Sequence, residues 1–167
     1  AAGGISASKL RSADKLEDED WARLSNGIAR MTNRPIWIVD ATDLTVDQIK
    51  QLAIRHRQQH PETVMIGIDY LRLIKLQGNS RHDLAVGEVS KGLKSLAKTI
   101  RTPVIALSQL SRKVEDRQNK RPVNSDLKDS SEIEADADII MMLYRDEMYN
   151  PESPARGIAE INVTKNR

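Results

Sequence analysis

Thr63-Val64-Met65-Ile66-Gly67-Ile68-Asp69 is apolar almost throughout and does not alternate. A run of this kind reads as a strand buried on both faces, the usual state of a strand in a parallel sheet. Downstream, Val86, Val89, Leu93, Leu96, Ala97 and Ile100 step by three and four, which predicts a long helix. Pro103 then opens a second apolar strand, Val104 to Ser108. Upstream, Thr45-Val46-Asp47-Gln48 has the form of a capping box. Val46, Ile49, Leu52 and Ala53 keep helical spacing behind it, so a helix is expected from 45 to about 58, ended by His60-Pro61.

Further out, Ile36 to Asp40 reads as a short buried strand. The acidic run Asp14 to Asp20 leads into an amphipathic stretch, Trp21 to Met31, and suits a helix N-terminus. Residues 109–130 form a long polar and basic loop, and loops of that length in compact domains usually carry function or are disordered. Ala137 to Tyr144 and Gly157 to Lys165 are the last strands. Strands alternating with helices predict an α/β domain: a mostly parallel sheet flanked by helices, with right-handed crossovers.

The 167 residues fit one domain with a real core. Aromatic residues make up 3% and Phe is absent, so the core must be built from Ile, Leu, Val, Met and Ala. A net charge of +2 does not itself argue for nucleic-acid binding, which needs clustered rather than excess positive charge. The lack of Cys excludes disulfides and thiolate metal sites. No apolar run approaches the ~20 residues of a membrane span, and Ala1 to Lys9 lacks the parts of a signal peptide. The expected location is cytoplasmic, with no membrane partner. The opening stretch of small residues and the close on Lys165-Asn166-Arg167, directly after a strand, make a fragment of a larger protein the expectation.

Open parallel sheets bind ligands beyond the carboxyl ends of their strands. Asp69 lies past the first apolar strand, Gln109 past the second, and Lys165 and Arg167 end the last. An Asp at a strand tip can hold the water shell of Mg²⁺ beside a triphosphate; taken alone, such an Asp is more often a turn cap. A neutral amide such as Gln109 can bond a terminal phosphate or an attacking water; the alternative is an ordinary loop Gln. Lys165 and Arg167 are two apart, so the pleat points them to one face, beside Ile161 and Val163. There they could clamp a phosphate, or form a solvated basic end. The stretch Ser111 to Arg121 carries Arg112, Lys113, Arg117, Lys120 and Arg121. It could follow a phosphate backbone or be a solvated charge run. It holds no aromatic on which bases could stack. His56, His60 and His82 lack the spacing of a helical metal pair and are read as surface residues.

The order of these signals is more specific than any one of them. Asp-Glu-Asp-Trp at 18–21, Ile-Asp-Tyr-Leu at 68–71, Ala-Leu-Ser-Gln-Leu-Ser-Arg at 106–112 and Lys-Arg-Pro-Val-Asn-Ser-Asp-Leu at 120–127 resemble the motor domain of DnaB-type replicative DNA helicases. So do Ile-Glu-Ala-Asp-Ala-Asp at 133–138, Tyr-Arg-Asp-Glu at 144–147, Gly-Ile-Ala-Glu at 157–160 and the final Lys-Asn-Arg. The resemblance covers all 167 residues as one partial RecA-like domain. It implies a homo-hexameric ring, ATP and Mg²⁺ as cofactors, and movement along single-stranded DNA, with primase and a helicase loader as possible partners. Asp69 would be the acidic residue of the Walker B strand and bind the metal. Gln109 would sense the γ-phosphate. Arg167 would be an arginine finger reaching a neighbouring subunit's ATP, assisted by Lys165. Leu127 to Ser131, with Lys128, Asp129 and Ser131, would contact the DNA backbone.

This chain departs from the family at Arg72, where Gln is usual, at Lys128-Asp129-Ser130-Ser131, where Arg-Glu-Ser-Gly is usual, and at Asn166, which replaces Gln. It contains no G-x-x-x-x-G-K-S/T phosphate loop. ATP hydrolysis by these residues alone is therefore not expected. Alternative readings are a RecA-type recombinase or regulatory ATPase, and a non-catalytic module that binds DNA or protein.

Overall fold

The computed structural model describes residues 3–32, 34–76, 82–127 and 130–167. The chain divides into two compact units, Ala1–Asp40 and Ala41–Arg167. In the first unit, helix α1 (Ala7–Leu10) starts at Ser6, whose hydroxyl accepts the Lys9 N–H. Helix α2 (Asp18–Thr32) carries Asp18, Glu19 and Asp20 in its first turn, as the acidic run predicts. Asp20 is buried, accepting from Lys9 Nζ at 2.7 Å and from the Glu17 N–H at 3.3 Å. The Lys9 bond, then the backbone one, hold its carboxyl below the ordinary range. The strand expected at Ile36 to Asp40 does not form, and Ile38 is 86% exposed. Apolar composition supplies a strand's side chains but not the paired backbone it needs, and no described strand pairs with this segment.

The second unit begins with the capping box as read. Thr45 Oγ1 accepts the Gln48 N–H at 3.3 Å, and Gln48 Oε1 accepts the Thr45 N–H at 2.9 Å. Helix α3 (Val46–Gln59) follows and ends before Pro61. Strands β1 (Ile66–Ile68) and β2 (Val104–Ala106) run parallel, with Ile66 opposite Val104 and Ile68 opposite Ala106. Helix α4 (His82–Ile100) makes the crossover between them. Its apolar stripe meets α3 and both strands. Leu96 and Ile100 pack with Ala53 against Ile66 and Val104, and Val89 and Leu93 pack with Ile74 against Ile68 and Ala106. At Gly92 a Cβ would lie 2.6 Å from Val46 Cγ2, so this close approach of α4 to α3 needs glycine there.

Burial of β1 on both faces is not found. Ile66, Ile68, Val104 and Ala106 face the helices, while Met65, Ile105 and Leu107 are exposed. The continuous apolar run therefore has one covered face among the described residues.

Helix α5 (Ser130–Asp136) leads into β3 (Ile139–Tyr144), which pairs antiparallel with β4 (Glu160–Asn166). The expected mostly parallel sheet is thus a parallel pair and a separate antiparallel pair. Residues 145–159 return the chain without a crossover helix, which antiparallel strands allow and parallel ones do not. Ile140 and Met142 are buried with Leu127 against Leu110, Ile133 and Ala137.

The described part of the 109–130 segment, residues 109–127, is closed on itself. Leu110 bridges Leu127, and the Ser111 N–H donates to Asp126 O at 2.7 Å. Asp126, 5% exposed, accepts from Arg117 Nη2 at 2.6 Å and from the Val123 N–H at 2.8 Å. Arg121 forks onto Glu160 with bonds of 3.0 and 2.7 Å and lies 4.5 Å from the Tyr144 ring centre. Two cations of the basic run are thus paired with carboxylates, Arg117 within the segment and Arg121 with Glu160, although both side chains stay partly exposed.

Candidate functional site

Register places the first two candidate residues. Because β1 and β2 are parallel neighbours, Asp69 and Gln109 leave the same edge of the same pair. The backbone continues the ladder past both strands. The Leu107 N–H donates to Ile68 O at 3.0 Å, and the Leu71 N–H donates to Leu107 O at 3.0 Å. The turns carrying Asp69 and Gln109 are thereby pinned to each other. Both side chains are exposed, and the Asp69–Tyr70 peptide is cis.

A further residue joins them. Arg72, on the short 3₁₀ turn Leu71–Leu73, donates from Nη1 to Gln109 Oε1 at 3.0 Å. Sequence reading noted Arg72 as a departure from its family but gave it no role. The contact spans 37 positions, and no local pattern encodes it.

Lys165 lies on β4, and Arg167 directly follows that strand. Both turn toward the end of α5: Lys165 Nζ donates to Glu134 O and, at 3.4 Å, to Ala135 O, while Arg167 Nη1 reaches Ala135 O at 3.4 Å. Cations at a helix C-terminus complement its unpaired carbonyls. They do share a face, but not that of Ile161 and Val163. Met141 opposes Val163 while Ile140 opposes Lys165, so Thr164 is an extra residue in β4. This bulge shifts the alternation and turns Lys165 to the buried side of β3. Among the described residues, no hydrogen bond or ion pair links Lys165 or Arg167 to Asp69 or Gln109. Ser131 is exposed in the first turn of α5; Lys128 and Asp129 lie outside the described residues.

No group of three or more possible metal ligands occurs among the described residues. Asp69 could supply one carboxylate. That fits Mg²⁺, which commonly takes one or two protein carboxylates and completes its shell with water and phosphate oxygens.

A family model for the DnaB-like helicase C terminal domain matches residues 1–167. The chain belongs to that family. The replicative DNA helicase DnaB of Geobacillus stearothermophilus is 44% identical over 169 residues, covering 100% of this chain and 37% of that protein. The DnaB of Pasteurella multocida is 41% identical over 165 residues, covering 98% and 35%. The chain thus spans just over a third of these relatives. Among solved structures, one described as an ATPase domain is 39% identical with a TM-score of 0.91, covering 99% of this chain and 60% of that one. A DnaB-like replicative helicase, described with its interactions with primase, is 39% identical with a TM-score of 0.92, covering 99% and 40%. The fold is therefore the partial RecA-like α/β domain that the motif order implied. Among the described residues, no helix is long and apolar enough to cross a membrane.

In this DnaB-like domain the Arg167 backbone is tied to the residue before β3, Asp138, whose carbonyl accepts the Arg167 N–H at 3.0 Å. The Asp138 carboxylate accepts from Lys94 on α4. That bond, with Lys98 and Lys165 nearby, holds the carboxyl below its ordinary 3.8. A depressed acid stabilises the fold above its ordinary value, and the contribution is lost as pH falls through the folded value. The Lys94→Ala change should therefore destabilise fully above about pH 4 and progressively less as pH falls through the folded value, and slightly throughout, since Asp138 is 62% exposed. Carboxyl NMR should show the Asp138 midpoint rising toward 3.8 in the variant. An unchanged midpoint would remove Lys94 as the cause.

Proposed function

We propose that the protein carrying this chain is an ATP-driven replicative DNA helicase. It works as a homo-hexameric ring with an ATP site at each subunit boundary and moves along single-stranded DNA in the cytoplasm. Primase and a helicase loader are its partner classes. The observation that carries this reading is the pairing of Asp69 and Gln109 on adjacent tips of one parallel pair, in a chain of the DnaB-like family.

In this reading Asp69 orients the water shell of Mg²⁺ beside the triphosphate. The metal, when bound, neutralises charge on the phosphate oxygens. Gln109 donates from its amide toward the terminal phosphate, and the strand that carries it passes the state of that phosphate to the 109–130 segment. Arg167, helped by Lys165, reaches the neighbouring subunit's ATP. Lys128, Asp129 and Ser131 contact the DNA backbone, so Lys128→Ala should weaken binding about equally for all sequences.

The test is strand displacement on a forked duplex by the full-length protein with ATP. Unwinding is expected, and ATP hydrolysis that displaces no strand would favour the recombinase or regulatory ATPase alternative. The 167 residues alone should hydrolyse no ATP, because no phosphate loop is present to offset the charge that Asp69 presents to the nucleotide. Robust turnover by the purified chain would contradict this account of the site.

A further inference from the structure

We propose that Arg72 is a positioning residue for Gln109: it fixes which end of the amide faces the nucleotide, and so couples the metal-side turn to the sensor. The proposal rests on the reading of Gln109 as the phosphate sensor and adds to it the residue that aims it.

A Gln side chain has an acceptor end and a donor end, and rotation by half a turn exchanges them. A phosphate oxygen accepts only, so a Gln that presents its oxygen meets the phosphate with repulsion. One hydrogen bond at the amide oxygen removes this ambiguity. Arg72 makes that bond, from Nη1 to Gln109 Oε1 at 3.0 Å. A guanidinium cannot accept a hydrogen bond, so the contact tolerates only one orientation of the amide. The donor end is left to face outward, and its N–H groups are polarised by the positive charge on the far side.

The placement of Arg72 comes from the backbone. Asp69 and Arg72 are three residues apart on one turn, and that turn is held to the strand before Gln109 by the Leu71 N–H to Leu107 O bond. A shift of Asp69 along this turn carries Arg72 with it, and Arg72 carries the Gln109 amide. The carboxylate on the metal side and the amide on the phosphate side therefore move as one unit. Arg72 and Gln109 are both exposed, and a bond between exposed side chains adds little to stability. Its consequence is orientation, and the two roles can be separated by experiment.

The test uses the full-length protein, with variants at Arg72 and Gln109 in a double-mutant cycle. DNA-stimulated ATP hydrolysis is the activity, and the thermal midpoint is the control. Arg72→Ala should lower kcat by about ten- to a hundredfold, the usual consequence of a small misplacement of a catalytic group. KM and the midpoint should change little. Arg72→Lys, which keeps a donor that cannot accept, should restore part of the rate, whereas Arg72→Gln, whose amide can also accept, should not. In a Gln109→Ala background, Arg72→Ala should cost nothing more. Several results would overturn the proposal while leaving the sensor reading intact. These are additive losses, an unchanged rate in Arg72→Ala, or a loss carried by KM with kcat unchanged; the last would make Arg72 a direct phosphate contact. A full rate in Gln109→Ala would instead remove the sensor reading, and the proposal with it.

Discussion

Arg167→Ala in the full-length protein is expected to lower ATP hydrolysis by about a thousandfold or more, the range over which arginine fingers act. That is roughly 4 kcal/mol of transition-state stabilisation. The fold should lose little. The Arg167 N–H to Asp138 O bond belongs to the backbone and survives truncation, and among the described residues the guanidinium reaches one carbonyl, at 3.4 Å. Lys165 stays on the α5 carbonyls. A normal melting temperature beside a collapsed rate would separate chemistry from folding. Nucleotide affinity at the variant's own phosphate loop should be kept, because in the proposed arrangement the finger acts on the neighbour.

Mixed rings give the decisive version. A subunit with Arg167→Ala still offers a working phosphate loop, and a subunit with a disabled phosphate loop still offers a working finger. Mixing the two dead proteins creates boundaries at which both halves are sound, and some hydrolysis should return. No recovery at any mixing ratio, in rings shown to be mixed, would mean that Arg167 does not act across the boundary.

Several elements were legible because their causes are local. The capping box at Thr45 and Gln48 needs only side chains three apart, and α3 begins there. The stripe from Val86 to Ile100 needs only helical spacing, and α4 spans it. The shared edge of Asp69 and Gln109 follows once two apolar runs flank one helix, since a crossover forces parallel strands. Other features depend on partners far along the chain. Ile36 to Asp40 has the composition of a strand but no described strand to pair with. The bulge at Thr164 depends on the register of β3 against β4, so the face of Lys165 could not be read by counting from Val163. The basic run from Ser111 to Arg121 looked like solvated charge because the acceptors of Arg117 and Arg121 are Asp126 and Glu160, 9 and 39 positions away. Arg72 was visible only as an unusual residue. Its meaning came from a side chain 37 positions on.

The second large effect concerns the support beneath the site. Leu96 is 1% exposed and packs with Ala53 and Ile100 against Ile66 and Val104, the paired first residues of β1 and β2. Leu96→Ala removes buried apolar volume from a place enclosed by α3, α4 and both strands, and should cost about 2–5 kcal/mol. The upper half of that range is expected. Collapse into the cavity is resisted on one side by the α3–α4 contact, where Gly92 lies too close to Val46 to admit a Cβ. Leu96 makes no polar contact, so the loss should be uniform with pH, unlike that of Lys94→Ala. Chemical denaturation of wild type and variant would measure it, and a cost below about 1 kcal/mol would show that the site relaxes. The same variant bears on function. The tips carrying Asp69 and Gln109 are held by β1 and β2, and those strands are held by this cluster. At temperatures where Leu96→Ala remains folded, its ATPase rate should fall less than that of Arg72→Ala while its stability falls far more. The reverse order would mean that the geometry at the tips is set by the core beneath them, not by the hydrogen bond between Arg72 and Gln109.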